Sequence, residues 1–132
     1  MSASAASVAK AFVRAINRHD VDGMAALMTD QHRFTDSLGN AVRGRQNIQG
    51  GWAAYFLMVP DYAIAVEETY GDGPAIVMLG VAEGTYAPDG KLKPENRWKT
   101  PAAFRALIED GKISEWQVFA DNEPIRARMK QG

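Results

Sequence analysis

The chain has 132 residues, 46% of them hydrophobic and 23% charged, with a formal net charge of −1. That length supports one well-packed core rather than two ordinary domains, so residues 1–132 read as a single domain. Arg14, Arg18, Arg43, Arg45, Lys91 and Lys93 are scattered and form no basic stripe for nucleic acid, and the lack of cysteine excludes disulfides, thiolate nucleophiles and sulfur-ligated metals.

The opening Met1–Ser7 has neither a basic nor an apolar leader region, and no later run approaches the ~20 apolar residues of a membrane span. The expected location is therefore the cytoplasm. Ser7 is the expected N-cap of a first helix, in which Val8, Ala11, Phe12, Ala15 and Ile16 recur at helical spacing. His19-Asp20 breaks it, with His19 expected in solvent. Asp20 then caps a short second helix whose apolar face is Val21, Met24, Ala25, Leu27 and Met28. A short strand, His32 to Asp36, precedes the turn Ser37-Leu38-Gly39-Asn40. The third helix runs from Arg45 to Met58 and is stopped by Pro60. Gly50-Gly51 inside it costs about 1 kcal/mol per glycine, which predicts the close approach of another element.

Beyond Pro60 the period changes from helical to alternating. Strands are predicted over 62–70, 75–86, 97–108 and 113–122, separated by Gly71-Asp72-Gly73, Ala87-Pro88-Asp89-Gly90 and Glu109-Asp110-Gly111-Lys112. Helices first and antiparallel strands after predict an α+β fold, with helices closing one side of a curved sheet over an internal cavity. Glu83 is expected to face solvent or a dimer partner, and Arg97 to enter a surface ion pair or, as the alternative, to meet a substrate anion.

Asp36 is the leading candidate for chemistry. Period two puts His32, Phe34 and Asp36 on one strand face, so the side that should pack inward carries a carboxylate. A buried acid is costly unless it is paired or used. The competing reading is a turn aspartate that binds nearby backbone N–H groups. His32 reads as a proton shuttle or as a structural histidine. In the last strand Trp116, Val118, Ala120 and Asn122 share one face and Gln117, Phe119 and Asp121 the other, so either Asn122 or Asp121 can reach a cavity mouth. Trp52, Tyr55, Trp98 and Trp116 either line an apolar pocket or fill an ordinary core. Two histidines without metal-ligand spacing, and no glycine-rich nucleotide loop, predict no metal and no organic cofactor.

The stretch from Val13 to Met28, with Asn17-x-x-Asp20-x-x-Gly23, followed by Phe34-Thr35-Asp36-Ser37-Leu38-Gly39 and Arg43-Gly44, resembles the opening of ketosteroid-isomerase-like and SnoaL-like proteins of the NTF2-like superfamily. The resemblance implies a cone in which N-terminal helices pack on the concave face of a mainly antiparallel sheet. It also implies a small hydrophobic ligand and a homodimer. It places Asp36 where ketosteroid isomerases hold their general base, and Phe12 and Ala102 where those enzymes hold two oxyanion donors. Neither Phe12 nor Ala102 can donate, so a donor would come from Tyr55, Tyr86, Trp98, Trp116 or Asn122. Asp121 resembles the late-strand aspartate of SnoaL-like cyclases. The expected function is acid/base chemistry by Asp36, with or without Asp121, on a carbonyl- or hydroxyl-bearing compound bound by Phe12, His32, Trp52, Tyr55, Trp98, Trp116 and Asn122. The alternative is a non-catalytic ligand-binding or dimerisation module.

Overall fold

The computed structural model describes residues 4–131; Met1–Ala3, which open the segment read for a leader, and Gly132 lie outside the described residues. Helix α1 spans Ala5–Asn17 and is capped by Ser4, whose Oγ accepts the Ser7 N–H at 3.1 Å. The cap thus stands three residues before Ser7, because Ala5 and Ala6 already suit a helix. Helix α2, Val21–Ala26, is capped by Asp20 through the Gly23 N–H at 3.0 Å. A Cβ at Gly23 would meet the Asp20 carboxylate at 2.2 Å. Asn17 grips Ile64 at both backbone groups, at 2.9 and 2.8 Å. The Asn-x-x-Asp-x-x-Gly stretch is therefore a fold device that caps one helix and ties α1 to the sheet.

Strand β1 is Met28–Thr35, longer than predicted, and takes Met28 out of the helix to which its apolar spacing assigned it. Strand β2, Ala41–Arg43, pairs with β1 across the Asp36–Asn40 turn. Helix α3 occupies Arg45–Met58 as expected. Strands β3 (Ala63–Tyr70), β4 (Ala75–Thr85), β5 (Arg97–Glu109) and β6 (Lys112–Ala120) follow, with helix α4 at Glu123–Gln131. The sheet order is β2-β1-β6-β5-β4-β3, parallel only between β1 and β6, and the sheet is open and curved.

Alternation assigns the sheet's two faces. Ile76 and Met78 of β4, Phe104 and Ala106 of β5, and Trp116 of β6, with Ile113 brought to the same face by a bulge at Ser114, are fully buried on the concave side, against Phe12 and Ile16 of α1. The Trp116 ring lies 4.9 Å from Phe12 and 5.4 Å from Phe104, centroid to centroid. Each such side chain contributes about 1.5–3 kcal/mol by leaving water. On the opposite face Glu115 is held by Arg33 at 2.6 Å, Arg105 at 2.8 Å and Thr35 at 2.9 Å. Burial pushes its carboxyl up, but those donors outweigh burial and hold it below the usual range. Arg97 bridges to Glu83 at 3.0 Å at the surface. Among the described residues no helix is long and apolar enough to cross a membrane.

Candidate functional site

A cavity of about 320 Å³ opens between α3 and the concave sheet face. Its walls are aromatic. Phe34 comes from β1, Trp52 and Tyr55 from α3, Trp98 from β5, and Tyr62 from the segment entering β3. Trp52 and Tyr55 are three residues apart on α3, which puts both on its inner side. Successive rings stand nearly perpendicular: Phe34 to Trp52 at 86°, Trp52 to Tyr55 at 87° and Tyr55 to Tyr62 at 86°, with centroids 5.1–6.4 Å apart. Burial, and for Tyr62 also the nearby Tyr55, raises both tyrosine pKa values far above the ordinary phenol value, so the hydroxyls stay neutral donors at any physiological pH.

Small residues make the space. Gly51, Ala82 and Ala120 lie at the wall where larger side chains would fill it. Nothing stands within 4 Å of where a Cβ would sit at Gly50 or Gly51, so the glycine pair does not admit another element as expected; Gly51 borders the cavity instead.

The polar groups of the lining are Asp36, Ser37, Asn47, Thr100 and Asn122, together with the tyrosine hydroxyls and the Trp52 and Trp98 indole N–H groups, which have no partner among the described residues. Asp36 immediately follows β1 and is partly buried. Its Oδ1 accepts the N–H groups of Leu38 and Asn40, both at 2.9 Å, and its backbone closes the same turn through Asn40 O and Gly39 N. The side chain therefore ties its own turn, as the competing reading expected, and Asp36 is also one of the residues that line the cavity. The turn fixes the carboxylate's direction.

The structure brings Asp36, Trp52, Tyr55, Trp98 and Asn122 to one cavity and separates the other four candidates from it. Asp121 is exposed on the far face of the strand end, where its Oδ1 accepts the Glu123 N–H at 3.0 Å at the start of α4. Phe12 and Trp116 are fully buried against each other at the base of the cone. His32 is also fully buried. Its Nδ1 lies 2.7 Å from Ile113 O and so carries the proton, while Nε2 has no partner among the described residues. Burial lowers its pKa. His19, expected in solvent, stacks on Phe56 at 4.0 Å and places Nε2 2.8 Å from Tyr62 O, which helps to anchor the Tyr62 segment.

Phe34, Tyr62, Val118 and Ala120 line the cavity without having been singled out. Phe34 shares the face of Asp36, and Val118 and Ala120 share that of Asn122, so alternation already contained them. Tyr62 carried no such signal. Among the described residues no three His, Asp or Glu side chains converge as a metal site.

A family model described as a SnoaL-like domain matches residues 9–116. No curated protein matches the chain. Among solved structures, a proposed SnoaL-like polyketide cyclase of Shewanella denitrificans superposes with a TM-score of 0.81 at 15% identity, covering 97% of this chain and 98% of that one. An LEH-like epoxide hydrolase of M. tuberculosis gives 0.79 at 16% identity, covering 99% and 92%. A Catenulispora acidiphila protein with a ketosteroid isomerase-like fold, in complex with trimethylamine, gives 0.78 at 17% identity, covering 92% and 90%. At these identities the likeness is one of fold.

Proposed function

The chain belongs to the SnoaL-like domain family, and from that premise we propose a small-molecule enzyme in which Asp36 moves a proton on a carbonyl- or hydroxyl-bearing compound. One observation carries the reading: the only formal charge among the described residues lining an apolar cavity of about 320 Å³ is a carboxylate whose direction its own turn fixes. A cavity of this size with few polar groups suits a small, largely apolar ligand. In the proposed step the Asp36 carboxylate takes a proton from the carbon beside a carbonyl; the C–H electron pair becomes an enolate, and the proton returns to the same carbon or, where an adjacent C=C makes a dienolate, to its γ-carbon. Tyr55 and Tyr62 supply neutral hydroxyl donors to the developing oxyanion, replacing the donors that Phe12 and Ala102 cannot provide. Asn122 orients the ligand at the mouth.

The test is loss of α-protons from a panel of aryl and cyclic ketones in D₂O, followed by proton NMR. Wild type exchanges at least one of them above the buffer rate, and Asp36→Asn slows this by about 10²–10⁴. Equal rates in the two proteins would sink the reading. The buried, donor-free Phe12 and Ala102 favour a second reading, a non-catalytic binding module, under which ketones bind without exchange. We also propose a cytoplasmic homodimer formed through the outer sheet face, where Phe119 is 49% exposed beside Ala103 and Leu79. A monomeric mass in light scattering would contradict it.

A further inference from the structure

We propose that this cavity takes a quaternary or tertiary ammonium group, so that the compound it holds is an organic cation. This rests on the small-molecule reading above and adds a charge to it. Three features argue for the charge. The first is the make-up of the wall: Phe34, Trp52, Tyr55, Tyr62 and Trp98 all line the cavity, neighbouring rings having centroids 5.1–6.4 Å apart. Ring faces carry negative electrostatic potential and attract a cation that lies against them.

The second feature is dryness. Trp52, Tyr62 and Trp98 are each more than nine-tenths buried, so water screens little of that attraction. The third is the balance of charge. No Lys, Arg or His is among the described residues lining the cavity, and Asp36 is. Its carboxylate is the counter-ion that a bound ammonium needs, while an anionic ligand would face that carboxylate with no cation to offset it. A trialkylammonium is weakly hydrated, so it enters such a site at less cost than a primary ammonium does. The neutral tyrosine hydroxyls remain to meet a hydroxyl or carbonyl elsewhere on the same molecule.

The experiment compares choline with 3,3-dimethylbutan-1-ol, its uncharged carbon isostere, by titration of ¹⁵N-labelled protein. The three indole N–H signals make the readout. Trp52 and Trp98 line the cavity and Trp116 is packed away behind Phe12, so choline should shift the first two and leave the third. Choline should bind at least about tenfold more tightly than the isostere. Asp36→Asn and Trp98→Leu should each reduce that preference about threefold or more. Trp98→Phe, which keeps a ring, should retain more of it and serves if the leucine variant does not fold. Isostere binding equal to or tighter than choline, or no shift with choline, overturns the proposal. Deuterium exchange of neutral ketones needs no cation and reports on the small-molecule reading separately.

Discussion

The base of the cone and its mouth are both built from aromatic side chains, yet one is solid and the other open. At the base α1 supplies Phe12 and Ile16, which meet Trp116, Phe104, Ile76 and Met78 with no side chain exposed. At the mouth α3 offers Gly51, and the sheet offers Ala82, Thr100 and Ala120, so five rings that touch their neighbours also border an open space. The lesson is that aromatic content does not mark a pocket; the small residues opposite the rings do. The base is filled by apolar side chains and His32, while the mouth holds a carboxylate and two neutral phenols.

The sharpest way to break this comparison is to truncate one ring at the base. Trp116→Ala should cost about 3–5 kcal/mol in urea unfolding, because the surrounding side chains close the cavity only in part. A loss under 1 kcal/mol would mean that the base is not packed as described.

The base should also respond to acid through His32. Burial lowers its folded pKa below the ordinary imidazole value of 6.5, so just below pH 6.5 the unfolded chain binds a proton that the folded chain does not. Stability is therefore full above that pH and falls as the pH drops through it. Glu115 acts in a lower window: its folded pKa lies below 4.5, so its contribution is present above that value and is lost on further acidification. Urea midpoints between pH 7.5 and 5.5 should decline for wild type and decline less for His32→Gln. Parallel lines for the two proteins would contradict the assignment.

A smaller effect belongs to the mouth. Asp36→Ala removes the acceptor of two turn N–H groups and should cost roughly 0.5–2 kcal/mol, whereas Asp36→Asn keeps an acceptor oxygen and most of that stability. The asparagine variant thus separates chemistry from folding.

Most of the architecture was legible because it follows from period. The limits of α3 and of the last four strands come out within two residues of those observed, since apolar spacing and turn residues coincide there. Strand β2 did not, because three exposed residues show no alternation, and α4 was missed because its polar sequence begins directly after β6. The site was legible in part for a related reason. Alternation reports which face a side chain takes, not how deep along the cone it lies. Trp116 and Asn122 share a face of the last strand, yet one is sealed at the base and the other lines the mouth. Asp121 falls outside for the opposite reason, being on the other face and engaged at the start of α4.

The most direct test of an open mouth over a solid base makes the same substitution in both. Ala106 is fully buried at the base, and Ala120 borders the cavity. Leucine at 106 overfills a packed core and should destabilise by about 1–3 kcal/mol, while leucine at 120 should leave stability unchanged or raise it and abolish binding of the cavity's ligands. Equal destabilisation at the two positions, with binding intact in Ala120→Leu, would contradict the account.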